Sequence, residues 1–194
     1  MKKVAYIIPG YQQSYKNKKG YNKIAEFFKE KGIKPIHIEL KWNYKNPIQF
    51  ERYISQFLKK YKKPKNTKVY ILGFSFGSMI ALMSEFKTRP EALILCSLSP
   101  YFKEDLPKIP KGWSNWWKKN YKNSDISFDQ IAPKIRTKVF IIAGDKEGVE
   151  VEYRAKSAKR MIKGSSLFVA KGAKHWISQS KYLTEVKKVI SRLS

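Results

Sequence analysis

The strongest chemical signal in this chain is Gly73-Phe74-Ser75-Phe76-Gly77, a serine with a glycine two positions to either side. A serine hydroxyl is a weak nucleophile and attacks a carbonyl only when a base takes its proton. What gives the pattern meaning is its setting. The apolar run Val69–Leu72 leads into it, and a helix-period segment over about 76–86 opens directly behind it. Such a strand–turn–helix puts the serine on a sharp, strained turn with its hydroxyl above a sheet. Side chains at 73 and 77 would collide across that turn. The start of the following helix adds a favourable potential for developing negative charge.

The elements that must hold this serine follow from periodicity. Short β-rich runs alternate with helix-period segments, the pattern of a parallel sheet covered by helices. Val4–Ile8, Ile36–Leu40, Val69–Leu72, Ala92–Cys96, Val139–Ala143 and Leu167–Ala170 read as six strands. Between them lie helix faces marked by Ile24, Phe27 and Phe28, then by Ile54, Phe57, Leu58 and Tyr61 after an Asn46-Pro47 start. A further helix carries Ala155, Ala158, Met161 and Ile162. The last spans about 180–193, with Leu183, Val186, Val189 and Ile190 at helical spacing. The expectation is one doubly wound α/β domain over 1–194, with its ligand site at the carboxyl ends of the strands.

The rhythm breaks between the fourth and fifth strands. Residues 97–137 form no clear βα unit and hold Pro100, Pro107, Pro110 and Pro133 with an aromatic group, Trp113, Trp116, Trp117 and Tyr121. An insertion this long is expected to be functional, a short lid or binding loop. The three tryptophans share one face at helical spacing, suited to packing or to an apolar substrate wall.

GFSFGSMIAL, the strand before it and the remaining strand order resemble the α/β-hydrolase superfamily over essentially the whole chain. The match begins at what would be the third strand of the full fold, as in compact members. The resemblance implies a triad in the order serine, acid, histidine. Of the two histidines, His37 falls inside the second strand and reads as a structural, partly buried residue. His175, in the loop after the last strand, stands where the family keeps its base. The family's Gly-x-x-Asp pattern after the fifth strand points to Glu147, with Asp145 as the alternative acid and Asp105 a distant third. The oxyanion hole would be the N–H of Phe76 and that of Tyr11, because Pro9-Gly10-Tyr11 is similar to the family's His-Gly-x segment. The implied activity is that of a serine hydrolase, carboxylesterase- or thioesterase-like, working through an acyl-enzyme, with no metal or organic cofactor.

Composition sets the remaining bounds. The 194 residues suffice for one core, and a single cysteine, Cys96, excludes a disulfide within the chain. No segment has the roughly 20 apolar residues of a membrane span, and the expected location is the cytoplasm. Lys and Arg number 41 against 15 Asp and Glu, a formal net charge of +26. The lysines are spread over every segment, which reads as composition. The expected partner is a small acyl substrate, anionic ones being favoured by the field, with no specific nucleic acid. Two alternatives stand beside the hydrolase: an acyltransferase on the same triad, and a non-catalytic, nucleic-acid-associated basic protein on the same scaffold.

Overall fold

Strand residues that alternate between two apolar environments need helices on both faces of the sheet, and the fold supplies them. A computed structural model describes residues 1–11, 15–43, 45, 50–105, 107 and 126–194. Its strands are β1 Lys2–Ile8, β2 Lys34–His37, β3 Thr67–Phe74, β4 Ala92–Cys96, β5 Lys138–Gly144 and β6 Ser166–Ala170. All neighbouring pairs are parallel, in the order β2-β1-β3-β4-β5-β6. The described helices are α1 Tyr15–Glu30, α2 Phe50–Lys60, α3 Phe76–Met83, α4 Glu85–Thr88, α5 Phe128–Ile131, α6 Val149–Met161 and α7 Ser180–Ser191.

Successive strand residues face two separate cores. Tyr6, Ile8, Val69, Ile71, Leu93, Leu95, Val139 and Ile141 pack with α2, α3 and α6. Ala5, Ile7, Tyr70, Leu72, Ile94, Phe140 and Ile142 pack with α1 and α7. This is the period-2 alternation of a sheet buried on both sides. The chain leaves β1 toward one edge of the sheet and β3 toward the other. The carboxyl ends of β1 and β3 therefore flank the switch point where α/β sheets place ligands.

Three elements depart from the periodicity reading. The second strand is Lys34–His37, shifted toward the N-terminus from Ile36–Leu40. Its register is set by pairing with Val4–Ile7 rather than by its apolar content, and an edge strand accepts Pro35. His37 ends that strand at an exposed position, where partial burial still lowers its imidazole pKa. The helix over 76–86 breaks at Ser84, whose hydroxyl turns back to the Ile80 carbonyl. Glu85 starts α4 buried and accepts hydrogen bonds from the Thr137 N–H and hydroxyl at 3.2 and 2.6 Å. In α2 the fully buried residues are Phe50, Tyr53 and Phe57, flanked by half-buried Ile54, Leu58 and Tyr61. Asn46-Pro47 lies outside the described residues. No described helix is long and apolar enough to cross a membrane.

The tightest packing lies between β1, β3 and α3. A Cβ added at Gly77 would sit 2.2 Å from the Ile8 carbonyl oxygen, and one at Gly73 would sit 2.3 Å from that of Gly77. Both obstacles are backbone and cannot rotate aside. Gly77→Ala is expected to lower unfolding free energy by at least ~2 kcal/mol, as overpacking does. Urea denaturation checks this, and a variant as stable as the parent would refute the tight packing.

Candidate active site

Ser75 sits between the end of β3 and the start of α3 with φ 55° and ψ −120°. A left-handed φ is disfavoured for serine, and such strain persists only where surrounding contacts impose it. Here the Ser75 N–H is held by the Cys96 carbonyl at 2.9 Å, and the Ser75 carbonyl accepts the Ser78 N–H at 2.9 Å. The Ser78 hydroxyl is buried at 2.7 Å from both the Gly73 and the Cys96 carbonyl oxygens. The turn is thereby tied to the ends of β3 and β4.

His175 reaches this serine from the loop after β6. Its Nε2 lies 3.1 Å from Ser75 Oγ, and its Nδ1 lies 2.7 Å from Glu147 Oε2. The ring rests on Phe74, with centroids 4.9 Å apart, and 42% of the side chain stays exposed. The Glu147 side chain is fully covered, 0% exposed. Its second oxygen accepts the Gly144 N–H at 2.6 Å and the Ser97 hydroxyl at 2.8 Å. A buried carboxylate needs such donors, because desolvation without them costs several kcal/mol (on the order of 2–7 even for neutral polar groups).

The two candidate acids have separate places. Asp145 Oδ1 accepts the Gly172 N–H at 2.6 Å, and the neighbouring Lys146 N–H bonds the Ala173 carbonyl at 3.0 Å. Asp145 thus clasps the β5 loop to the loop that carries His175, while Glu147 meets the imidazole.

Pro9-Gly10-Tyr11 follows β1 on the far side of the serine. The Gly10 N–H donates to the Tyr21 hydroxyl at 2.9 Å, and burial pushes that phenol well up, so it remains neutral. The Tyr11 ring lies 5.5 Å from Phe76 and 5.6 Å from Trp42, and Phe76 lies 5.2 Å from Tyr101. These rings form one aromatic cluster beside the Ser75 turn, with Phe76 and Tyr101 buried in the core. Trp113, Trp116, Trp117 and Tyr121 lie outside the described residues. Among the described residues, no group of three or more His, Cys, Asp or Glu is arranged to hold a metal ion.

Several residues at this site escaped the sequence reading. Ser99, buried just past β4, places its hydroxyl 3.1 Å from Ser75 Oγ, opposite His175. Ser97 and Tyr182 stand behind Glu147, and Trp42 extends the aromatic wall. The one signal in the sequence is Ser97-Leu98-Ser99 at the end of a strand, the start of the stretch that lacks a βα unit.

No family model matches the sequence, and no curated protein matches it. Solved structures do share the architecture. Est1E from Butyrivibrio proteoclasticus, with ferulic acid bound, superposes with a TM-score of 0.77 at 16% identity, covering 97% of this chain and 86% of that one. The mouse α/β hydrolase domain-containing protein 10 gives 0.76 at 15% identity, over 97% and 88% of the two chains. The esterase EaEST from Exiguobacterium antarcticum gives 0.73 at 17%, over 97% and 91%.

Asp105 is held away from the serine. Its carboxylate pairs with Arg154 of α6, with Nε at 3.1 Å from Oδ2 and Nη2 on Oδ1, and both side chains are buried. The guanidinium carbon also lies 4.1 Å from the Phe128 ring centroid. This pair fastens the chain beyond β4 to α6. Asp105→Ala would leave Arg154 charged and unpaired, an expected loss of about 3–5 kcal/mol in stability. Chemical denaturation checks it, and a loss of activity without loss of stability would contradict this placement.

Proposed function

We propose that this protein, an α/β-hydrolase by fold, is a serine hydrolase that cleaves an ester or related acyl bond through an acyl-enzyme. One observation carries the reading. Ser75 Oγ, His175 and Glu147 form a continuous hydrogen-bonded line, 3.1 Å and then 2.7 Å, at the sheet's switch point.

In this reading His175 Nε2 takes the Ser75 proton as Oγ attacks the carbonyl carbon. Glu147 holds the Nδ1–H tautomer and stabilises the imidazolium without taking its proton. The N–H groups of Phe76 and Tyr11 receive the oxyanion. The imidazolium then protonates the leaving oxygen, the acyl group remains on Ser75, and a water activated by His175 releases the acid. Ser99, on the other side of Oγ, steadies the hydroxyl toward Nε2.

The substrate is a small acyl compound, and the Tyr11, Trp42, Phe76 and Tyr101 rings suit a flat or apolar acyl group. The neighbour with ferulic acid bound holds an aromatic acid on the same fold. In this reading the stretch between β4 and β5 serves as a lid, and Trp113, Trp116, Trp117 and Tyr121 are its substrate-binding residues. The scattered lysines steer anionic substrates, with no dedicated nucleic-acid partner.

Ser75→Ala is expected to abolish labelling by a fluorophosphonate probe and to cut short-chain ester turnover by roughly 10⁴-fold or more. Glu147→Gln should cost on the order of 10³–10⁴ in turnover, with Asp145→Asn far milder. Wild-type turnover by Ser75→Ala would end the hydrolase reading, and the reverse ranking of acids would move the role to Asp145. Steering makes a separate prediction. Raising salt from 0.1 to 1 M shortens the screening length from ~10 to ~3 Å. The kcat/KM for an anionic ester should then fall more than that for a neutral one, and equal falls would remove the field from the account.

A further inference from the structure

Behind Glu147 lies a line of buried hydroxyls that the reaction scheme does not use. Ser97 Oγ is 2.8 Å from Glu147 Oε1 and 2.7 Å from the Tyr182 hydroxyl, which is itself 2.9 Å from the Ile142 carbonyl oxygen. Ser97 and Tyr182 are both fully buried. These three contacts share only two hydroxyl protons, so one contact at a time lacks a proton. The carboxylate is the strongest acceptor, since charge-assisted hydrogen bonds are roughly twice as strong as neutral ones. Ser97 therefore donates to Glu147. Its lone pairs then face Tyr182 at 2.7 Å, a repulsive contact unless the phenol donates to them. The Ile142 carbonyl loses little, because it also accepts the Ser97 N–H at 2.7 Å.

Two further observations agree. Ser97 has φ 50°, a left-handed conformation in which glycine would be relaxed. A strained serine with its hydroxyl on a functional carboxylate is strain with a use. The other titratable groups against Glu147 are Cys96 and Tyr182 itself. Burial first, and then the charge of Glu147, push both well up, so Tyr182 keeps the proton it must donate.

We propose that Tyr182 and Ser97 form a directed donor chain, from α7 across the end of β4, that positions Glu147 on the His175 ring. Tyr182 orients Ser97, Ser97 and the Gly144 N–H lock one carboxylate oxygen, and the other is left facing Nδ1. The proposal rests on the hydrolase reading for its kinetic consequences, but the geometry it describes is measurable without turnover.

The test uses Ser97→Gly, Tyr182→Phe and the double variant. Glycine removes the hydroxyl while easing the backbone, and phenylalanine keeps the ring that packs against Phe74 at 6.1 Å. Two readouts apply: kcat/KM for p-nitrophenyl acetate against pH, and the hydrogen-bonded Nδ1 proton resonance of His175, one of only two histidines. Removing the donor should let the carboxylate turn and hold a proton on the Glu147–His175 unit more readily. Ser97→Gly should lower kcat at least about tenfold, as the loss of one hydrogen bond to a charged group would, with KM unchanged. Its acidic limb should move up by about half a pH unit, and the Nδ1 resonance should shift. Tyr182→Phe should move the same readouts less, and add nothing in the Ser97→Gly background. An unmoved resonance in either folded single variant, or full additivity in the double, overturns the chain. If the parent turns over no ester, the hydrolase reading fails, and the resonance alone still decides the donor chain. Should Ser97→Gly not fold, Tyr182→Phe decides by the same resonance.

Discussion

The close approach of backbone to backbone at Gly73, Gly77 and Ile8 is the constraint from which the rest of the site is built. With no room for a Cβ at 73 or 77, α3 starts hard against the ends of β1 and β3. The single residue left to turn the chain, Ser75, is forced to a left-handed φ. Its hydroxyl lies within 3.1 Å of both His175 Nε2 and the Ser99 hydroxyl. The same packing brings the loop after β1 beside Ser75, where Tyr11 meets Phe76. Strain at one residue is thereby held by many contacts, each unstrained.

A second set of constraints joins three strand ends that are distant along the chain. Asp145 on the Gly172 N–H, the Lys146 N–H on the Ala173 carbonyl and Glu147 on His175 fasten the β5 loop to the β6 loop. Ser97 draws in the end of β4 through Glu147, and Tyr182 draws in α7. The two acids of the β5 loop divide the work. Asp145 holds backbone at an exposed position, and Glu147 holds the imidazole from a buried one. A buried carboxylate with three donors is directional in a way that an exposed one is not, because each donor fixes an oxygen lone pair.

Periodicity read five of the six strands well because each has a short apolar run at its centre, and Ala92–Cys96 agrees at both ends. It misplaced the edge strand β2, where Lys34 and Pro35 pair although they are not apolar. It joined α3 to α4, since the break at Ser84 is made by one hydroxyl and leaves the apolar spacing intact. Edge pairing and side-chain back-bonding are decided by neighbours rather than by pattern.

The same division holds at the site. The elbow at Ser75 was legible because all its requirements are local: two glycines, a strand before and a helix behind, within five residues. Between Asp145 and Glu147 the family spacing pointed to Glu147 with Asp145 left open, because both follow β5 and only the path of the loop separates their directions. Ser97, Ser99 and Tyr182 were silent for a related reason. A serine at a strand end is ordinary in sequence, and Tyr182 is one turn before an apolar helix face. Their meaning depends on which strands lie side by side, β3 next to β4 and β4 next to β5, and on where each one ends to within a single residue. Local pattern determined the serine turn at Ser75 and the sheet that carries it. Only the tertiary structure, by setting strand order and strand ends, decided which distant hydroxyls and carboxylate came within hydrogen-bond range of it.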